Sequence, residues 1–328
     1  MFCKALSRYA ILVLGFVLVM SLCIGLSGAI AQEEDDLCEG QGDGCIFGCP
    51  DDSLFTMDFR LEDCKFQTTG VNPFFILKPG YQVVLETPEG AVDDEGEEVE
   101  REKSVETVLY DTKMITLEDG RRINARVVEE RAYELEVDED TGEVEEKLIE
   151  ISLNWFAICK KTNAVYYFGE WSRDCPAGFD EDDVCTGDPD TEEGESTEGS
   201  WEAGVDGAMA GLMMTGTPLL GSKYFQEIAE EQEAVDRGEI VALGLDVVVP
   251  AGDWSGCIKI YDTNPMEAKD GGCDGENDPK LYCPGVGLVK DQFLEMISFG
   301  YVGRDDDNDD DDDDDDHHRS RHHYWRWY

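Results

Sequence analysis

All four histidines of the chain lie in its C-terminal tail, at His317, His318, His322 and His323. The rest of the chain therefore cannot build a Ser-His-Asp triad, a Cys-His pair, a histidine-ligated zinc site or a facial-triad iron site. The glycine-rich run 40–44 lacks the lysine and following helix of a phosphate-binding loop. We therefore predict that the protein is not an enzyme, with hydrolysis by carboxylates alone as the remaining enzymatic alternative.

Two segments carry side chains that could bind metal ions. The tail histidines could bind Cu²⁺, Ni²⁺ or Zn²⁺, and the aspartate run at 305–316 could loosely bind Ca²⁺ or Mg²⁺. Asp188, Asp190 and Glu192 stand at alternate positions, as at the start of a calcium loop, although the glycine and closing glutamate of such a loop are absent. We expect no resident cofactor, with Ca²⁺ or a transition metal on the tail as the alternative. A tail whose basic, aromatic end folds back on its own acidic run would need no metal.

Cysteine usage favours disulfide bonds. Of the 12 cysteines, Cys3 and Cys23 fall in the predicted signal described below, and no pair has the C-x-x-C spacing of a redox motif or zinc ribbon. Disulfides form in oxidising compartments, and we expect Cys257 and Cys283 to bridge neighbouring strands. The candidate disulfide cysteines are Cys38, Cys45, Cys49, Cys64, Cys159, Cys175, Cys185, Cys257, Cys273 and Cys283.

Residues 1–31 have the three parts of a secretory signal peptide. Lys4 and Arg8 precede an apolar run over 10–24, and the small residues around Ala29 and Ala31 fit a cleavage site. The apolar run is shorter than the roughly 20 residues that span a bilayer as a helix. We therefore expect an exported protein, periplasmic or extracellular, without a membrane span after cleavage. An uncleaved membrane anchor is the alternative.

The net charge of −50, from 76 acidic and 26 basic side chains, limits the choice of partners. Such a surface repels phosphate backbones and anionic lipids, so we predict neither nucleic acid nor a membrane surface as partner. Acidity of this kind also serves solubility or adaptation to salt. Its functional interpretation is the binding of hard divalent cations, which prefer carboxylate oxygens.

The element pattern is that of a mainly β protein. β-branched runs at 105–117 and 123–137 flank an Asp-Gly dipeptide, which is a strong hairpin signal. Further strands are predicted at 81–86, 147–159, 163–171, 239–249, 256–262, 280–283, 287–290 and 292–301. We predict a curved antiparallel sheet or half-barrel over residues 71–303, because curvature protects a long sheet from exposed edges.

The remaining segments are predicted to be irregular. Residues 32–70 form a Cys-rich acidic lead-in, and the Asp- and His-rich tail at 304–328 is expected to be disordered. The acidic stretches 89–102 and 179–198 are predicted to be long solvated loops, and the Gly- and Met-rich stretch 199–221 an irregular crossing segment. Residues 222–235 have a helix-like composition.

Several motifs between residues 72 and 302 occur together: NPFFILKPG at 72–80, NWFA at 154–157, VYYFGE at 165–170, GSWEAGVDGA at 199–208, YFQE at 224–227, VPAGDW at 249–254 and YCPGVGLV at 282–289. In these motifs the chain resembles a family of uncharacterised exported bacterial proteins. The resemblance implies that residues 222–235 are strand. It also implies a shape similar to periplasmic half-barrel lipoprotein carriers, whose concave sheets bind apolar molecules.

That analogy supplies the candidate ligand-lining residues, all aromatic: Trp155, Phe156, Tyr166, Tyr167, Phe168 and Trp201. The predicted function is accordingly that of a non-enzymatic exported protein, either structural or binding an apolar ligand in a curved sheet. The alternatives are a cation-binding protein of the cell surface and a hydrolase that uses only carboxylates.

Overall fold

The computed structural model describes residues 54–70, 72–93, 95–137, 141–189, 191, 193–265 and 278–303. These residues form fifteen β-strands and include two 3-10 turns, at Leu61–Asp63 and Glu230–Gln232. Within these ranges no helix is long and apolar enough to cross a membrane. The predicted mainly β fold is confirmed for the described residues. The predicted signal, most of the Cys-rich lead-in and the tail lie outside them.

The strands of the first part of the chain are β1 (Phe66–Gln67), β2 (Tyr81–Glu86), β3 (Glu102–Thr116), β4 (Arg122–Val137), β5 (Val144–Cys159), β6 (Val165–Asp174), β7 (Trp201–Glu202) and β8 (Met209–Met214). Those of the second part are β9 (Lys223–Phe225), β10 (Glu227–Ile228), β11 (Arg237–Val249), β12 (Gly252–Thr263), β13 (Asp278–Cys283), β14 (Gly287–Asp291) and β15 (Leu294–Tyr301).

All of these strands belong to one antiparallel sheet that is not closed, in the order β10-β8-β6-β5-β4-β3-β2-β15-β14-β13-β12-β11-β9, with β1 beside β5 and β7 beside β6. Two meanders, β2 to β6 and β11 to β15, meet where β2 pairs with β15. The end strands β9 and β10 are separated in the chain only by Gln226. The sheet therefore curves until its two ends lie next to each other, and the predicted curved antiparallel sheet is confirmed.

Local turn chemistry sets the register of the hairpin between β3 and β4. Gly120 has a φ of +83°, a conformation that glycine adopts without steric cost. Its N–H donates to the carbonyl of Leu117 at 2.9 Å, and the N–H of Arg121 donates to Asp119 Oδ1 at 2.9 Å. Asp119 and Gly120 therefore form the turn of the predicted hairpin.

The stretch 199–221 is more regular than predicted. It contains β7 and β8, and β8 pairs with both β6 and β10. The Cβ that an alanine would add at Gly211 would lie 1.9 Å from the carbonyl oxygen of Gln226, so only glycine lets the backbones approach this closely. Residues 222–235 contain the short strands β9 and β10 followed by a 3-10 turn, so the strand prediction holds for the first half of this stretch and fails for the second.

Three disulfides connect the described cysteines: Cys64–Cys159, Cys175–Cys185 and Cys257–Cys283. The third lies one position beyond the paired residues Ile258 and Tyr282, so it bridges the neighbouring strands β12 and β13 as predicted. The first fastens the end of the lead-in to β5. Cys38, Cys45, Cys49 and Cys273 lie outside the described residues.

The long loop after β6 carries no named strand before β7, in line with its prediction, but it is fastened to the sheet. Arg131 donates to both carboxylate oxygens of Asp183 at 2.9 and 2.8 Å. Arg173 donates to those of Glu195 at 3.0 and 2.6 Å. Two bidentate ion pairs and one disulfide therefore hold this acidic loop against the ends of β4 and β6.

Candidate functional site: a carboxylate-rich cavity inside the sheet

The inner face of the sheet carries polar residues in rows across β3, β4 and β5. Glu106 on β3 lies opposite Glu130 on β4, and Glu130 lies opposite Ser152 on β5. Because side chains alternate between the faces of a strand, residues paired in this way point to the same side. Ser104, also on β3, donates its hydroxyl to Glu130 Oε1 at 3.0 Å. Two glutamates thus lie side by side on the inner surface.

A bulge in β6 adds two more polar side chains to this surface. Asn154 of β5 pairs with Glu170, whereas Phe156 pairs with Tyr167, so β6 has one residue more than β5 between these pairs. Gly169 within the bulge has a φ of +132°, and an added Cβ would lie 2.3 Å from the carbonyl oxygen of Trp201. The bulge thereby places both Tyr167 and Glu170 in the wall of the cavity.

Tyr167, Asn154 and Glu170 form one hydrogen-bonded group. The Tyr167 hydroxyl donates to Asn154 Oδ1 and lies 2.9 Å from Glu170 Oε2. Asn154 Nδ2 donates to Ser152 Oγ at 3.2 Å, which turns Oδ1 towards the tyrosine. Because a tyrosine has one hydroxyl proton and faces two acceptors, both contacts are hydrogen bonds only when Glu170 carries a proton.

Among the described residues, Lys280 on β13 is the only basic side chain that lines the cavity. Its Nζ lies 3.2 Å from Asp262 Oδ2 and 3.4 Å from Asp291 Oδ2. Burial works against its positive charge, but Asp291 and Asp262 outweigh that effect and hold the pKa of Lys280 well above its usual range. The lysine is therefore a charged partner of two carboxylates and has no free amine for nucleophilic chemistry.

Burial shifts the pKa of the cavity carboxyls upward. It raises the pKa of Glu106 to about 8, with the neighbouring Glu130 as the next cause. It raises the pKa of Glu170 to about 7, although the contact with the Tyr167 hydroxyl acts in the opposite direction. Burial also raises the pKa values of Glu130 and Asp262, and holds that of Glu227 well above its usual range. Several of these groups therefore hold protons near neutral pH.

Most of the remaining lining residues are apolar, and Gln226 and Asp236 are the polar ones among them. The cavity has a volume of about 230 Å³. Its apolar lining comes from the segment before β2 and from strands on both halves of the sheet: Phe74, Phe75, Ile76, Val83, Val108, Val128, Phe156, Met213, Val286 and Leu288. Residues from β2 through β14 surround one space, so the curved sheet encloses it on most sides.

The segment at 73–76 is held in place by Asn72, which is fully buried. Asn72 Nδ2 donates to the carbonyls of Asn163 at 2.8 Å and Thr215 at 3.0 Å, and Oδ1 accepts from the N–H of Phe74 at 2.9 Å. The N–H of Gly285 donates to the carbonyl of Pro73 at 2.7 Å. Phe74 and Phe75 of this segment form the phenylalanine wall of the cavity. The bonds of Asn72 and Gly285 fix this wall to both halves of the sheet.

The six aromatic residues proposed from the sequence are divided between the two faces of the sheet. Phe156 and Tyr167 line the cavity, with their rings stacked at a centroid distance of 4.6 Å. Tyr166 and Phe168 contact Phe66 of β1, at centroid distances of 5.3 Å each. They belong to the core on the other face of β6, since adjacent residues of a strand point to opposite sides.

The other two aromatic candidates, Trp155 and Trp201, do not line the cavity either. Trp155 lies under Lys113, whose Nζ is 3.4 Å from the ring centroid. Trp201 packs edge-on against Tyr167 at 5.2 Å and supports it from behind. Of the six residues, Phe156 and Tyr167 are therefore the two that a molecule in the cavity would contact.

Of the candidate metal ligands, Asp188 alone lies within the described residues. Asp188 is exposed in the loop after β6, and no group of three or more His, Cys, Asp or Glu side chains in the described ranges could hold a metal ion. The other predicted ligands, Asp190, Glu192, His317, His318, His322 and His323, lie outside the described residues.

The carboxylates of the cavity did not stand out in the sequence. With 76 acidic residues in the chain, one more glutamate in a strand carries little information. The signal that was available is the placement of Glu106 and Glu130 at inward positions of β-branched runs, two residues from Val108 and Val128. A charged residue where the alternation expects an apolar one is the mark of a functional or paired group.

No family model, curated protein or solved structure matches this chain. The resemblance described from its motifs therefore stays a prediction.

Proposed function

We propose that this protein is an exported, non-enzymatic binding protein that holds a small apolar molecule inside its curved sheet. The observation that carries the proposal is the cavity of about 230 Å³, whose wall combines apolar side chains with a set of polar ones. Small-molecule sites usually combine an apolar lining with a few placed polar groups. The stacked rings of Phe156 and Tyr167 offer a flat surface for such a ligand.

The way the wall is fixed supports binding. Asn72 holds the phenylalanine wall through hydrogen bonds to the residues next to β6 and β8, Asn163 and Thr215. The Cys257–Cys283 disulfide connects β12 to β13. A wall held in this manner loses little conformational freedom when a ligand enters, which favours affinity. Export is supported by the signal-like residues 1–31 and by three disulfides, since disulfides persist in oxidising compartments.

The test is native mass spectrometry of the protein purified from its own source, followed by calorimetric titration of the emptied protein with 1-octanol. We expect a co-purified small apolar mass and saturable binding of the alcohol at one site. The variant Met213→Trp should abolish both, because it fills the cavity. Met209→Trp on the same strand is the matched control, since Met209 is 43% exposed and does not line the cavity. Equal binding by both variants would refute the proposal.

A second candidate function is hydrolysis by carboxylates alone, favoured by one observation. Glu170 has a pKa raised by burial to about 7 and lies in the same cavity as Asp262 and Asp291, which are paired with Lys280. A proton-holding carboxyl that shares a cavity with salt-bridged carboxyl groups is the combination that a general acid and its partner require. The test is hydrolysis of nitrophenyl glycosides between pH 5 and 8. A rate no higher than that of Glu170→Gln excludes this function.

A further inference from the structure

The apolar cavity continues into a second cavity at the other end of the strands. The second cavity is lined by residues such as Thr87, Glu102 and Asn264, near the end of β2, the start of β3 and the end of β12. Four charged residues line both cavities: Asp236, Asp262, Lys280 and Asp291. The charged group therefore lies at the junction of an apolar space and a polar one.

The charges at this junction do not balance. Among the described residues, seven carboxyl groups line the first cavity against the single amine of Lys280, namely Glu106, Glu130, Glu170, Glu227, Asp236, Asp262 and Asp291. One lysine can neutralise only part of this set. The enclosed space is therefore an environment that favours an additional positive charge.

Asp262 provides the specific acceptor. This residue is 7% exposed and lines both cavities. Its Oδ2 accepts from Lys280, and Gln226 lies near enough to stabilise the charged form, whereas Oδ1 has no hydrogen-bond partner of normal geometry within the described part of the chain. A buried carboxylate oxygen without a donor is costly, so a donor supplied by a ligand would be strongly favoured.

We infer that the molecule held in the cavity is an amphiphilic amine, whose protonated nitrogen donates to Asp262 at the junction while its apolar body lies against Phe156 and the phenylalanine wall. This inference rests on the proposed function and names its ligand class. An ammonium group has three donors and no acceptor, which suits a site made almost entirely of acceptors. A bare metal ion fits less well, because no three ligating side chains converge among the described residues.

The protonation of the empty cavity agrees with this assignment. Burial and the adjacent carboxyls raise the pKa values of Glu106 and Glu130, so the empty site keeps protons in place of a cation. The groups that face them are Asp291 and Lys280. An ammonium group would supply the positive charge and allow these carboxyls to ionise.

The inference is tested by calorimetric titration of the emptied full chain at pH 7 with 1-octylamine, 1-octanol and octanoate. These three ligands have similar alkyl chains and differ in the charge of the polar group. We expect octylamine to bind roughly tenfold or more tightly than octanol, as a charged hydrogen bond in a buried site allows, and octanoate to bind weakest. Ethylamine, which has the charge without the body, should show no saturable binding. Asp262→Asn and Glu106→Gln should each bring the affinity for octylamine close to the affinity for octanol measured on the same variant.

The outcomes separate the two proposals. Octanol and octylamine binding with equal affinity would overturn the amine assignment and leave the apolar-ligand proposal standing. Failure of all three ligands to bind would refute both. Ethylamine binding as tightly as octylamine, or an equal loss of affinity in the surface variant Glu89→Gln, would show that the net charge of the chain attracts amines to its surface, and would also overturn the assignment. Glu89 is exposed and remote in sequence from the strands that carry the junction.

Discussion

Glu106 on β3 and Glu130 on β4 are directly paired across two antiparallel strands and both line the cavity. Two like charges in such positions repel each other when both are ionised. The pair therefore makes the stability of the empty protein depend on pH.

We expect the empty protein to become less stable as the pH rises from about 5 to 8. The pKa values of Glu106 and Glu150 are raised to about 8 and that of Glu170 to about 7, in each case with burial as the first cause. The folded state therefore binds more protons than the unfolded state, whose carboxyls titrate near 4.3. The raised pKa values stabilise the folded state fully below about pH 4.3. This contribution to the free energy of unfolding is lost as the pH rises through 7 to 8, by at most about 1.4 kcal/mol per carboxyl group and pH unit.

Thermal unfolding of the ligand-free protein across this pH range checks the prediction. Glu106→Gln cannot ionise, so its melting temperature should fall less between pH 5 and 8 than that of the natural chain. Glu89→Gln removes an exposed charge and should follow the natural chain. A melting temperature that rises steadily to pH 8 would contradict the prediction.

Gly169→Ala should disrupt the bulge that carries Tyr167 and Glu170. The added methyl would meet the carbonyl of Trp201 at 2.3 Å, and the φ of +132° is unfavourable for any residue with a Cβ. We expect a loss of roughly 2–4 kcal/mol in the free energy of unfolding, as for other strained or overpacked sites. The matched control is Gly90→Ala, which has a positive φ but open space around it. Urea denaturation of both variants separates the steric clash with Trp201 from the backbone strain that a positive φ causes in both. Equal losses in the free energy of unfolding would refute the role of the bulge.

Asn72→Ala should loosen the phenylalanine wall. It leaves the carbonyls of Asn163 and Thr215 and the N–H of Phe74 without their partner, at a cost of about 1–3 kcal/mol for each buried group that water cannot reach. Binding of 1-octanol should weaken more than tenfold if the variant folds. A chain of normal affinity and stability would show that Asn72 does not hold the wall. Asn124→Ala, an exposed residue of β4, is a suitable control.

The disulfides should differ in their effect on stability. Cys64–Cys159 closes a loop with a sequence separation of 95, which stabilises the folded state by about 4.7 kcal/mol on the chain-entropy estimate. Cys175–Cys185 closes a loop with a separation of 10, for which the same estimate is about 2.7 kcal/mol. We therefore expect Cys64→Ala with Cys159→Ala to lower the denaturation midpoint more than Cys175→Ala with Cys185→Ala. The reverse order would show that the acidic loop contributes more to stability than the attachment of the lead-in.

Local signals in the sequence were sufficient to predict many strands of the sheet. The Asp119-Gly120 turn and the β-branched runs around it define β3 and β4, and the spacing around Cys257 and Cys283 is consistent with their bridge. The strand β8 was missed because Gly211, which its close approach to Gln226 requires, is by itself a signal against a strand.

The candidate site could not be derived in the same way. Phe156 and Tyr167 were proposed as lining residues together with their neighbours Trp155 and Phe168, because the alternation of faces is hidden where a strand is buried on both sides. The junction of Asp236, Asp262, Lys280 and Asp291 joins residues from three strands and a loop. Their proximity depends on sheet order and curvature, which no local pattern contains.

The pairing of β2 with β15 determines when the sheet can be assembled. Tyr81 pairs with Tyr301, so the last described strand completes a ladder whose first partner appears early in the chain. A polypeptide that emerges from a ribosome or a translocation pore N-terminus first exposes the free edge of β2 until β15 arrives. Contacts so distant in sequence form slowly, and open edges invite association between chains. The joining of the two meanders therefore waits for the last described strand, and we expect the yield of folded protein to depend on protection of the β2 edge until then.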